Sequence, residues 1–88
     1  MGSVQLFEVR ANRQVARATY LLEMDGDTVG IQRPGQFVNV AVPGFFLRRP
    51  LSVCSWGPGS LTLLYKVLGQ GTDALTKVKP GEKLDVLS

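Results

Sequence analysis

Two short stretches of the chain hold residue types able to recognise an anion. The first is Arg48-Arg49-Pro50-Leu51-Ser52. Arginine keeps its charge at any relevant pH and presents a planar fork of donors that matches a phosphate. Ser52 adds a neutral hydroxyl that can donate or accept. In a regular strand Arg49 and Ser52 point to opposite faces, so one ligand meets both only if Pro50 and the strand entrance twist the backbone. The same residues also read as two solvated edge charges followed by a filler serine. The second stretch is GQGTDALTK, residues 69 to 77. Its glycines let backbone approach a ligand closely, and the amides at a helix start favour a phosphate. Thr72 would cap that helix, contact the anion, or do both. Asp73 suits the helix dipole but repels a phosphate. A plain glycine-rich turn into a capped helix fits this second stretch equally well.

The whole chain narrows the chemistry further. Its 88 residues allow one domain, residues 1–88, and at this size a single unstapled core is feasible. A hydrophobic fraction of 44% and a charged fraction of 19% are those of a globular protein. Cys54 is the lone cysteine and there is no histidine. That excludes an internal disulfide, a cysteine-ligated iron–sulfur cluster, the usual zinc sites and every histidine-dependent triad. A net charge of +3 suits an anionic ligand but is too small to point to nucleic acid. No apolar run reaches the roughly 18 residues of a membrane span. Met1-Gly2-Ser3 carries no signal pattern and reads equally as an expression remnant. These features describe a cytoplasmic, soluble domain with no membrane partner and no familiar catalytic residues; Cys54 is expected to be a buried, inert thiol.

Strands must position both stretches. VQLFEVR (4–10) is the first, followed by a polar ANRQ link and ARATYLLEM (16–24). Asp25-Gly26-Asp27 and RPGQ (33–36) are turns; FVNVAV (37–42) is the third strand. The fourth runs from Leu51 to Ser55, ahead of the WGPGS hairpin loop. LTLLYKV (61–67) is the fifth, so apolar that both faces are expected to be covered. A helix is predicted over 72–79 with Thr72 as its cap, stopped by Pro80-Gly81, and Leu84 to Leu87 is the sixth strand. Six short strands with one late helix predict an all-β fold, a closed six-stranded antiparallel barrel.

The order of these parts carries a resemblance. RRPLSVCSWGPGSLTLLYKVLGQGTDALTKVKPGEKLDVL, with PGQFVNVAVP ahead of it, resembles the FAD-binding domain of the electron-transfer subunit of NAD-dependent dihydroorotate dehydrogenase, in the ferredoxin–NADP reductase superfamily. The resemblance spans essentially the whole chain and is most specific at RRPLS, LLYKV, GQGT and KPGEKLDVL. It implies a Greek-key barrel that binds FAD, with FMN as the alternative flavin. Carried over by position, Arg49, Pro50, Leu51 and Ser52 form the flavin motif, Arg49 toward the pyrophosphate and Ser52 near the reactive edge of the ring. Leu64, Tyr65 and Lys66 would line the ligand, and Gly71 and Thr72 would present the helix start to the pyrophosphate. The family continues past LDVL into an NAD(H)-binding domain and a cysteine cluster holding a [2Fe–2S] centre. Here the sequence stops at Ser88, so an isolated flavin barrel is expected, without metal, iron–sulfur cluster or catalytic residues of its own.

Three functions follow as expectations. The first is a flavin module of a reductase subunit that passes electrons from NADH toward a dihydroorotate dehydrogenase catalytic subunit in pyrimidine biosynthesis, incomplete as an enzyme by itself. The second is a ligand-free barrel with a structural or self-associating role; as a homo-oligomer it would use PGFFL (43–47), which reads equally as barrel core. The third, a nucleic-acid-binding barrel, has only Trp56 at a hairpin tip to offer for stacking, and loop packing explains that residue as well.

Overall fold

Alternating apolar residues give each strand an inner and an outer side, and closing the sheet on itself lets the inner sides share one core. The computed structural model describes residues 4–88; Met1-Gly2-Ser3 lies outside the described residues. The strands are β1 (Val4–Ala16), β2 (Thr19–Asp25), β3 (Phe37–Ala41), β4 (Arg49–Gly57), β5 (Ser60–Lys66) and β6 (Lys83–Leu87), with helix α1 (Gln70–Leu75) between the last two. Neighbours around the closed barrel run β1-β2-β5-β4-β3-β6, every pair antiparallel. This is the closed antiparallel barrel with one short helix that the turn signals predict, in the Greek-key order that the resemblance implies.

Several boundaries differ from the sequence reading. The ANRQ segment is no link: β1 runs unbroken through it to Ala16. A register shift between Val9 and Ala11 inserts Arg10 as an extra residue and keeps the strand paired with β2. The hairpin to β2 turns at Arg17-Ala18, with Ala18 at φ 50. The hairpin from β4 to β5 turns at Pro58-Gly59, where Gly59 takes φ 77, the positive value that the second central residue of such a turn requires. Helix α1 starts two residues earlier than expected and stops sooner.

The core holds Val9, Leu22, Met24, Val38, Val40, Val53, Leu61, Leu63, Leu84 and Val86, with Leu75 of α1 plugging one end. Each large side chain buried this way contributes about 1.5–3 kcal/mol. Phe7 packs its ring against Gly26, where a Cβ would lie 2.6 Å from the ring. Trp56 lies not in the hairpin loop but within β4, opposite Leu61, and packs on the core. β5 is not covered on both faces: Leu61, Leu63 and Tyr65 are buried, whereas Leu64 stays 40% exposed. Cys54 is exposed, contrary to expectation, because it is the unpaired residue at the register shift between Val53 and Ser55 and faces outward.

The first of the adjacent arginines belongs to the barrel itself. Arg48 Nη1 donates to the carbonyls of Asn39 and Asp85 at 3.2 and 3.1 Å, and its Nη2 meets Asp85 Oδ1 at 2.7 Å. Asn39 is in β3 and Asp85 in β6, so Arg48 clasps the seam where these two strands pair. It is not a solvated edge charge.

Candidate functional site

Arg49, the first residue of β4, goes the other way. It shares the inward phase of Leu51 and Val53, but it stands at the barrel's end, where the interior opens under α1. Its guanidinium lies directly beneath Gly71: a Cβ built there would run into Nε and would sit 2.7 Å from Nη2 and 2.8 Å from Cζ. Only glycine leaves room for the guanidinium here. The Phe45 ring centroid is 5.7 Å from Arg49 Cζ, a cation–π contact that steadies the charge. A long bond of 3.5 Å from Nη1 to the Leu47 carbonyl is its only side-chain hydrogen bond among the described residues, so most of its donors remain available.

Beside it, the outer face of the barrel presents a row that the register fixes. Phe37 of β3 opposes Ser52 of β4, and Ser52 opposes Leu64 of β5. Phe37 is 64% exposed, so the row is apolar at both ends with one hydroxyl between. The segment from Leu68 to Thr72 rises on the other side, and the two enclose a cleft of about 590 Å³. That volume lies within the range of small-molecule sites, and the lining is mostly apolar with a few polar groups. Arg49, Pro50, Leu51, Ser52, Leu64, Tyr65, Lys66, Gly71 and Thr72 all line it. Arg49 and Ser52 therefore meet in one cleft although they point to opposite faces of their strand, because the cleft wraps the barrel's rim.

Two of these residues play a different part from the expected one. Thr72 is not the helix cap; Gly69 holds that position, and Thr72 is the third residue of α1. Its hydroxyl accepts from the Leu68 and Gly69 amides at 2.8 and 3.2 Å and donates to the Gly69 carbonyl at 3.2 Å. Thr72 thus shapes the loop that walls the cleft. Tyr65 turns its ring into the barrel, stacked on Tyr20 with centroids 5.5 Å apart. Burial pushes its phenol up to about 12 from 10.0, with Tyr20 beside it adding to the rise. Asp73 is absent from the cleft lining and pairs with Lys77 at 3.7 Å, which lessens the repulsion expected from it.

Sequence reasoning passed over Phe37, Leu68 and Gln70, which also line the cleft. Phe37 was detectable: Val38 and Val40 face inward, so Phe37 must face out. Leu68 lies in a loop, where no periodicity marks it. Among the described residues no His, Cys, Asp and Glu cluster could hold a metal, and no helix is long and apolar enough to cross a membrane.

No family model matches the chain. Curated proteins do. The chain is 38% identical, over 94% of its length, to the "dihydroorotate dehydrogenase B (NAD(+)), electron transfer subunit" of Enterococcus faecalis OG1RF, covering 34% of that protein. The subunit of the same name from Geobacillus thermodenitrificans is 39% identical over 90% of the chain and 33% of its own length. Its sequence relatives are electron-transfer subunits of dihydroorotate dehydrogenase B. The resemblance carried by RRPLS, LLYKV and GQGT is borne out, and the chain spans about a third of the length of these relatives. Among solved structures, the ferredoxin reductase in carbazole 1,9a-dioxygenase matches with a TM-score of 0.82 at 24% identity, over 99% of this chain and 29% of that one. An Amycolatopsis cytochrome P450 reductase, GcoB, matches with a TM-score of 0.81 at 20% identity, over 99% and 28%. The barrel fold is shared with a part of each.

Proposed function

We propose that residues 1–88 form a flavin-binding domain that holds FAD in the Arg49–Thr72 cleft and serves an electron-transfer subunit. The observation that carries this reading is the guanidinium of Arg49, seated under Gly71 at one end of an apolar cleft. A dinucleotide flavin has a flat apolar ring system at one end and a charged diphosphate in its middle. The chain offers a counterpart for each part. The outer row of Phe37, Ser52 and Leu64 gives a flat surface with one hydrogen-bonding group, and Arg49 with Lys66 supplies positive charge along the same cleft.

Each group then has a defined task. Arg49 would take the diphosphate through its fork of donors, and Gly71 keeps the backbone far enough away for that fork to fit. Ser52 would orient the polar edge of the ring, while Phe37 and Leu64 exclude water from its faces. The Thr72 hydroxyl holds the loop that closes the cleft on the helix side. A bound flavin would supply the capacity to accept and release electrons; the protein would supply its placement. NADH as the electron source, and a dihydroorotate dehydrogenase catalytic subunit as the recipient partner, are proposed from the names of the relatives.

A fluorescence titration of the purified protein with FAD and FMN in parallel tests the reading. Saturable quenching by FAD that Arg49→Ala weakens roughly tenfold or more, the value of about one charged hydrogen bond, is the expected result. Cooperative melting without saturable binding of either flavin would make the barrel a structural element alone.

A further inference from the structure

Asn12 is absent from the cleft lining, yet it touches both elements that wall the cleft. It opposes the buried Leu22 across β1 and β2, which gives it the inward phase near the barrel's end. Its side-chain oxygen accepts a hydrogen bond of 2.8 Å from the Tyr65 hydroxyl. Its Nδ2 donates to the carbonyls of Leu75 and Val78, at 2.9 and 3.0 Å. An asparagine amide has two N–H donors, so these two bonds use all it has to give. The Leu75 and Val78 carbonyls lie at and just beyond the end of α1, where a helix runs out of partners of its own. Tyr65 sits between Leu64 and Lys66 of β5, and all three line the cleft.

Helix α1 has six residues, too few to hold a place by helical propensity. Its position relative to the strands depends on what it is tied to, and one amide ties it to β1 and β5 together. We propose that Asn12 is a positioning residue for the cleft: it anchors the far end of α1 so that Gly71 stays over the Arg49 guanidinium and the diphosphate side keeps its width. The ligand in this proposal rests on the flavin reading above; the anchoring does not.

The variants Asn12→Asp and Asn12→Ala separate the two ends of the link. Asn12→Asp keeps an acceptor for Tyr65 and removes both donors to the helix but adds a negative charge, so Asn12→Ala, which adds none, is the control for direct repulsion of the diphosphate. Two ligands read the effect: FAD, which carries the diphosphate, and riboflavin, which carries no phosphate. With about one to two hydrogen bonds removed, FAD affinity should fall roughly tenfold in Asn12→Asp, while riboflavin affinity changes by no more than about twofold. Asn12→Ala should shift the ratio in the same direction. An equal loss for both ligands, or none, overturns the proposal. Amide hydrogen exchange gives a readout that needs no flavin: residues 69–75 should exchange faster in Asn12→Asp, with the strand amides unchanged. Unchanged exchange in that segment overturns the anchoring whatever the titrations show. Wild-type protein that binds neither ligand would instead sink the flavin reading, leaving the exchange result to decide on Asn12.

Discussion

Gly71→Ala separates affinity from stability, and the structure gives the direction of each. The new Cβ would lie 2.7 Å from Arg49 Nη2 and 2.8 Å from Cζ, against an ordinary contact of about 3.5 Å. The guanidinium is the far end of a flexible side chain, so it moves by about 1 Å while the backbone stays. No positive φ is needed at Gly71, so alanine adds no backbone strain there. In the first turn of a helix, alanine should raise stability by up to about 1 kcal/mol relative to glycine. A displaced guanidinium, however, loses one charged hydrogen bond to the diphosphate, about 1.5–3 kcal/mol, or roughly 10- to 150-fold in Kd. The assay is FAD titration beside thermal melting, on Gly71→Ala, Arg49→Ala and the double variant. Gly71→Ala should bind FAD at least tenfold more weakly while melting at the wild-type temperature or above. In the Arg49→Ala background it should cost little more, because both changes act on one guanidinium. Full affinity in Gly71→Ala, or full additivity with Arg49→Ala, would refute the placement of Arg49 at the diphosphate.

Arg48→Ala should lower stability by about 1 kcal/mol, since its bonds to Asn39 and Asp85 are partly exposed, and should leave FAD affinity unchanged; urea unfolding beside titration checks both. Gly26→Ala should cost about 1–3 kcal/mol through collision with the Phe7 ring, read as a lower midpoint in urea. Tyr65 titrates alone in Tyr20→Phe, and its phenolate absorbance should rise with a midpoint still above the ordinary 10.0 because of burial, but below the wild-type value of about 12 because the Tyr20 contribution is gone. Because the folded value is raised above 10.0, the stability Tyr65 contributes is fully present below pH 10 and is lost as pH climbs toward 12. Loss of stability in that window should be smaller in Tyr65→Phe.

Much of this architecture is legible in the chain because turns announce themselves. Asp25-Gly26-Asp27, Pro34-Gly35, Pro43-Gly44 and Pro58-Gly59 separate stretches with strand character, and closure follows from six such strands that must hide their edges. ANRQ was illegible for the opposite reason. A bulge at Arg10 changes the phase of β1 in mid-strand, and a strand whose alternation breaks reads as a loop. The same break conceals Asn12, whose inward phase appears only once its partner is known to be Leu22. PGFFL divides along these lines too: Phe45 packs on the core beside Arg49, whereas Phe46 is fully exposed, and no periodicity in a turn decides between the two.

The pair of adjacent arginines shows how one dipeptide serves both fold and site. Arg48 lies just before β4 and Arg49 is its first residue, and the two side chains go to different partners, so they do not share a task. Arg48 turns outward onto the β3–β6 seam, where Asp85 and two carbonyls engage it. Arg49 turns inward, and inside the barrel a charge has no tolerable place. It escapes only because it stands at the strand's first residue, where the interior opens beneath α1 and Gly71 leaves a gap of guanidinium size. A lysine at position 49 would satisfy the charge but not the planar gap, and it would meet a diphosphate as a point charge without the fork. Arg49→Lys should therefore weaken FAD binding with a smaller effect on melting, whereas Arg48→Lys should do the reverse. Equal behaviour of the two lysine variants in both assays would mean that the two arginines do not divide the work in this way.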